Sequence, residues 1–262
     1  MLRLAAFFTL TAVLLPVQVV AVAFRLRLAR HLPRFYHRIV ARILGLDVVV
    51  TGAPCRDAPV LFVGNHVSYL DIVAIGATVE GSFVAKAEIA GWPLFGWLAR
   101  LQRSVFVERR SSRARVQRDE ISDRLNQGDN LVLFPEGTSG DGIHVLPFRS
   151  ALFAVAEREV AGRPLTVQPL SIAYTRLHGL PIGREWQSCY AWYGDMELPD
   201  HLWRMVGLGR ARVDLVFHAP VTLAAFGTRR ALADHCFTAV RGGVDQAHAG
   251  RLAQPVAGGQ SA

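Results

Sequence analysis

Residues 59–71 take the chain through three conformations in quick succession. Pro59-Val60-Leu61-Phe62-Val63-Gly64 is short, apolar, partly β-branched and bounded by Pro and Gly. That is the pattern of a buried strand. Asn65-His66-Val67-Ser68-Tyr69 then turns, and Leu70 to Ala77 reads as a helix. Ser68 is its expected N-cap, with Asp71 three residues on as a weaker form of the capping box. His66 therefore stands where a strand ends and a helix is about to begin. In sheet-based folds such ends line the ligand crevice.

His66 and Asp71 are five residues apart across this turn. The spacing lets the carboxylate reach the imidazole, fix its tautomer and leave the other ring nitrogen able to take a proton. An imidazole, which titrates close to neutral pH, suits general base chemistry. Taken alone, the same two residues more often mean that His66 caps a turn and Asp71 caps the helix.

The chain has 262 residues, enough for one large domain or a domain with an appendage. Hydrophobic residues make up 51% of it and the mean hydropathy is +0.26, which points to a membrane. The net charge is +8, which suits either nucleic acid or an anionic lipid surface. No zinc-finger spacing, RNP-like stretch or basic run with interleaved aromatics supports nucleic acid. Cys55, Cys189 and Cys236 are scattered, and no CxxC occurs. Neither a disulfide framework nor a metal site is expected, and a reducing compartment fits. Lys86 is the only lysine among 29 basic residues.

Leu4 to Phe24 holds 21 residues without a charge, about enough to cross a bilayer core. Arg25, Arg27, Arg30, Arg34, Arg38 and Arg42 follow. The positive-inside rule puts everything after Phe24 on the cytoplasmic side of the inner membrane. A secretory signal would start with more than Arg3 and end in a small-residue cleavage site. Pro16 and Gln18 leave a helix lying in the interface open beside a true span. Leu32 to Leu46 reads as an amphipathic helix with basic flanks. Residues 1–46 are thus expected to be a membrane anchor plus a basic helix, 47–248 one domain, and 249–262 a disordered tail.

Within 47–248, strands are expected at Asp47–Thr51, Ser82–Lys86, Ser104–Arg109, Asn130–Phe134, Leu165–Tyr174 (broken by Pro169) and Ala211–His218. Helices are expected at Ser112–Gln127, Ser150–Ala161 and Thr228–Val240. Alternating strands and helices give an α/β domain. The aromatic stretch Ile89 to Leu101 fits core packing or an exposed apolar patch. The strand at Asn130 runs into Pro135-Glu136-Gly137-Thr138-Ser139-Gly140, placing Glu136 at a second strand end. No GxGxxG, P-loop, GxSxG or HExxH is present.

Asn65-His66-Val67-Ser68-Tyr69-Leu70-Asp71 resembles the NHxxxxD motif of the glycerolipid acyltransferases, the lysophosphatidate type. Ser104 to Arg109 resembles their second motif, with Phe106 and Arg109 in the places of its Phe and Arg. Phe134-Pro135-Glu136-Gly137-Thr138 matches the third, FPEGT, about 70 residues after the first. Val167-Gln168-Pro169-Leu170 resembles the weaker fourth. The resemblance covers about residues 60 to 220. It implies a central mixed sheet flanked by helices, with His66 as general base and Asp71 orienting it. Asn65, Arg109, Phe134, Pro135, Glu136, Gly137 and Thr138 would bind substrate, with Arg109 and the Glu136–Thr138 loop on the acceptor's head group. Acyl carrier protein or acyl-coenzyme A would be the co-substrate, with no further cofactor. The first-ranked acceptor is 1-acylglycerol-3-phosphate, giving phosphatidate.

Two departures bear on the acceptor. Arg103 stands where the second motif usually opens with Gly. Ser139-Gly140 follows Thr138 where many relatives have Arg-Ser. The FPEGTSGDG form, with Val145-Leu146-Pro147-Phe148 after it, resembles the lyso-ornithine-lipid acyltransferase branch, so lyso-ornithine lipid is the alternative acceptor. On a strand Arg103 would face the same side as Arg109 and could replace the missing cation. A thioester hydrolase and a non-enzymatic membrane tether for acyl carrier protein are the competing classes.

Overall fold

The computed structural model describes residues 2–57, 59–108 and 114–252. Two helices open the chain, α1 (Leu2–Ala23) and α2 (Leu28–Leu44). The domain continues through β1 (Leu46–Thr51), β2 (Val60–Gly64), α3 (Leu70–Thr78), β3 (Ser82–Lys86), α4 (Phe95–Leu101) and β4 (Val105–Val107). Then come α5 (Ala114–Asn126), β5 (Leu131–Leu133), a 3-10 helix at Ser150–Glu157 and the small hairpin β6 (Glu159–Val160) and β7 (Arg163–Pro164). The long strand β8 (Thr166–Leu177) is followed by β9 (Leu180–Pro181), α6 (Arg184–Gln187), α7 (Leu198–Gly207), β10 (Ala211–Phe217) and α8 (Arg229–His248).

The strand order is β1-β10-β8-β2-β5-β3-β4, with β9 pairing β8. Strands β8, β2, β5, β3 and β4 are mutually parallel, and β10 pairs β8 antiparallel. The sheet is therefore mixed, as expected. The parallel block brings the C-terminal ends of β2, β5 and β4 to one edge. Strand β2 alternates between two cores: Val60 and Phe62 pack under α2 and α3, and Leu61 and Val63 pack toward α5 and α8. With both faces covered, β2 is buried throughout, which is why its sequence is continuously apolar.

Three local expectations are corrected. Ser68 does not cap α3: its hydroxyl finds no partner, and the Asp71 carboxylate instead turns back onto the N–H groups of Val67 and Ser68. The helix expected from Ser150 to Ala161 is 3-10 and stops at Glu157, because Ala161 and Gly162, both at positive φ, turn the β6–β7 hairpin. Pro169 does not break β8. It lies just past the last β10 rung, at Phe217–Leu170. There the proline still accepts from the His218 N–H, and the His218 carbonyl, which Pro cannot serve, takes the side-chain amide of Gln168.

Helix α1 is inverted relative to a helix packed in water. Two of its polar residues face the protein: Thr11 meets the Tyr36 hydroxyl at 2.9 Å, and Gln18 donates to the carbonyls of Leu101 and Ala29. Val13, Val17 and Val20 face outward, as does Phe24 just past its end. Arg3 ties its start to the carbonyls of Leu44, Val206 and Gly209. The helix has the length and apolarity to cross a membrane, yet lies along α2 and touches α4.

Candidate active site

Strand β2 delivers Asn65 and His66 to the sheet edge, and α3 begins four residues later. The first turn of α3 carries Asp71, which is completely buried. Its Oδ2 lies 2.8 Å from His66 Nδ1 and also accepts the N–H groups of Val67 (2.7 Å) and Ser68 (3.0 Å). Its Oδ1 accepts the Tyr174 hydroxyl at 2.9 Å. Every partner of Asp71 is a donor, so the carboxylate holds the proton of His66 on Nδ1 and leaves Nε2 as a free acceptor. Burial, with the Asp71 carboxylate alongside, raises the Tyr174 phenol well above its ordinary value and keeps it a donor. Sequence reasoning missed Tyr174, which lies 103 residues from Asp71 and looks like any core strand residue.

The third-motif residues reach the same place from β5. Phe134 stacks on His66, with ring centroids 4.2 Å apart. Pro135 is buried behind it. Glu136 is also buried, and its two oxygens take the backbone N–H groups of His66 (2.9 Å) and Leu146 (2.8 Å). It braces the two motif loops rather than facing a head group, which corrects its expected role. Burial pushes its carboxyl up to about 8, against the two N–H donors, with Asp71 and Asp141 adding to the rise. Asn65 is corrected likewise: its amide exchanges both hydrogen bonds with the backbone of Ile172 and extends the β2–β8 ladder by a side chain. The Gly140 N–H donates to the His66 carbonyl at 2.8 Å, so the Gly137–Gly140 turn hangs directly on the first motif.

The family model for Acyltransferase matches residues 45–173. The lyso-ornithine lipid O-acyltransferase of Brucella abortus is 42% identical over 254 residues, 95% of each chain. The chain belongs to the glycerolipid acyltransferase family. It is an O-acyltransferase. The lyso-ornithine lipid O-acyltransferase of Rhizobium meliloti is 41% identical over 222 residues, 83% of this chain and 76% of that one. The crystal structure of the 1-acyl-sn-glycerophosphate acyltransferase PlsC from Thermotoga maritima superposes with a TM-score of 0.62 at 25% identity, over 94% of this chain and 95% of that one.

Of the acyltransferase's expected head-group residues, Arg109 lies outside the described residues. Thr138 and Ser139 are half-buried in the turn beside His66. Arg103 is not part of a strand. It sits at positive φ in the turn before β4 and pairs with Asp129, which also holds Arg124 and Arg30. Asp129 precedes β5, so this ion cluster occupies the opposite edge of the sheet from His66. Arg103 is spent there and does not replace the missing cation.

An apolar cavity of about 330 Å³ opens beside His66, and sequence periodicity gave no sign of it. Its walls come from α1, α2, α4 and α7, with Phe7, Leu14, Val40, Phe95, Leu98 and Leu202 among them. Trp92, Phe95 and Leu98 therefore serve the cavity rather than the main core. At its border His37 is buried, pushed down to about 4 by desolvation against the hydrogen bond its Nε2–H donates to Gln102 Oε1, and so stays neutral.

Proposed function

We propose that this acyltransferase moves a fatty acyl group from a thioester to the free hydroxyl of lyso-ornithine lipid, with lysophosphatidate as the weaker acceptor. His66 Nε2 takes the hydroxyl proton as the oxygen attacks the thioester carbonyl. The tetrahedral adduct collapses, the carbon–sulfur bond breaks, and the thiol leaves with the proton that His66 took. The thioester is already activated, so no acyl-enzyme is required. The acyl chain lies in the apolar cavity, which starts at His66 and offers hydrocarbon surroundings along its length.

The observation that carries the chemistry is the His66 Nδ1–Asp71 contact at the mouth of that cavity. The choice of acceptor is supported by the names of the relatives at 42% and 41% identity, against 32% for relatives named 1-acyl-sn-glycerol-3-phosphate acyltransferase. Ser139 favours the same choice, because a dianionic phosphate gains more from a second arginine than a zwitterionic amino-acid head group does. The outward apolar face of α1 supports membrane association, with the domain on the cytoplasmic side where acyl carrier protein and acyl-coenzyme A are found.

The test is a competition assay. Membranes carrying the full chain receive labelled acyl carrier protein thioester or acyl-coenzyme A together with both lysolipids, and the labelled lipid is identified. Lyso-ornithine lipid should be acylated with the higher kcat/KM, and Ser139→Arg should move the ratio toward lysophosphatidate. Free fatty acid without either lipid product would favour the hydrolase instead.

A further inference from the structure

Gly137 sits at the centre of the third-motif turn with φ of +72°, a conformation open chiefly to glycine. The space above it is filled by the guanidinium of Arg149. A methyl group built on Gly137 would stand 3.2 Å from Cζ and 3.3 Å from Nη1 of Arg149. The absence of a side chain therefore lets a cation lie directly on the turn. Two backbone bonds hold it there: the Arg149 N–H donates to the Pro135 carbonyl at 3.0 Å, and the Leu146 N–H, three residues back, donates to Glu136. The 146–149 segment and the 135–137 turn are thus sewn together, one residue beyond the carboxylate that carries His66.

Arg149 is exposed, and among the described residues it takes part in no ion pair. Other arginines of the domain are committed to carboxylates away from it: Arg103 and Arg124 to Asp129, and Arg212 to Asp214. A planar fork with free donors, parked on a glycine in the head-group turn, is suited to a carboxylate or phosphate arriving from solvent.

We propose that Arg149 binds the acidic group of the acceptor, the amino-acid carboxylate of lyso-ornithine lipid, against the Gly137 turn. It supplies from the 146–149 segment the cation that Ser139 does not supply. This rests on the lysolipid acceptor proposed above. Arg149 is a binding residue for the head group, and it leaves the proton transfer at His66 untouched.

The experiment uses the full chain in membranes, with Arg149→Ala and Arg149→Lys beside the wild type. Each is assayed with lyso-ornithine lipid, its carboxyl methyl ester and lysophosphatidate. Arg149→Ala should raise the KM for lyso-ornithine lipid about tenfold or more, the loss expected for one charge-assisted pair. The kcat and the KM for the acyl donor should stay within about twofold of the wild type. Lys should restore part of the loss, because it keeps the charge without the fork. The methyl ester should be a poor acceptor for the wild type, and Arg149→Ala should make it no poorer. Equal losses on acid and ester would make Arg149 a structural residue and overturn the proposal, as would an unchanged KM. A loss confined to lysophosphatidate would overturn the carboxylate assignment in favour of phosphate. A wild type that acylates neither lysolipid would bring down the acceptor reading itself, visibly and before any variant is compared.

Discussion

The Nδ1 of His66 lies 2.8 Å from the Oδ2 of Asp71, and that oxygen is at the same time the acceptor for the two backbone N–H groups that follow His66. One carboxylate therefore sets both the shape of the turn and the tautomer of the ring on it. The NHxxxxD spacing lets a helix's first turn reach back to a strand's end.

This arrangement predicts distinct results for two substitutions. His66→Ala removes the proton acceptor and should lower kcat by about 10²–10⁴-fold with the fold retained. Asp71→Asn presents an amide where donors converge, so the ring loses its enforced tautomer. Activity should fall by about 10²-fold or more, and stability should fall too, because the amide cannot accept all four donors. Steady-state kinetics and thermal melts on both variants check this; near-normal transfer by a folded His66→Ala protein would remove His66 from the chemistry.

Glu136 predicts a pH dependence of stability. Burial raises its carboxyl from an ordinary 4.5 to about 8. The unfolded chain loses this proton near pH 4.5 while the folded chain keeps it to about 8. The stability the group contributes is therefore complete below pH 4.5 and is lost as pH rises through that window, by at most about 1.4 kcal/mol per pH unit. Melting temperature against pH should fall more steeply for the wild type than for Glu136→Gln between those limits. Parallel curves would show that Glu136 is ionised throughout.

Gly64 closes β2 beside Leu170, and a methyl group there would stand 2.6 Å from the Leu170 carbonyl oxygen. Gly64→Ala must push β2 away from β8 immediately before Asn65 and His66. A loss of about 1–3 kcal/mol of stability is expected, together with lower activity. An unchanged melt would mean that the strands separate more easily than their packing implies.

Helix α1 serves the membrane with one face and the cavity with the other, so two variants should part company. Deleting residues 1–24 removes Phe7, Leu14 and Leu15 from the cavity wall. It should release protein from the membrane fraction and also cut acyl transfer at least tenfold in detergent micelles. Replacing only outward residues such as Val13, Val17 and Val20 with Asn should weaken membrane binding and spare micelle activity. Full activity after the deletion would show that the cavity does not hold the acyl chain.

The sequence by itself determined the α/β class, the strand-to-helix turn at His66, the third-motif turn at Glu136 and the apolar first helix. These follow from local rules: a doubly covered strand is continuously apolar, a turn needs Pro or Gly, and a motif fixes a spacing. The partners those residues take were decided only by tertiary structure. Glu136 is polar and ends a strand, which on sequence fits a ligand contact, but burial and two converging N–H groups make it a brace. Asn65 became part of a ladder for the same reason. Arg103 looked free until Asp129, 26 residues on, claimed it at the far edge of the sheet. Tyr174, Arg149 and the cavity walls come from elements separated by tens to hundreds of residues. Hydrogen bonding and desolvation act through space at a few ångströms, and chain order carries no record of those distances until the sheet brings its strand ends to one edge.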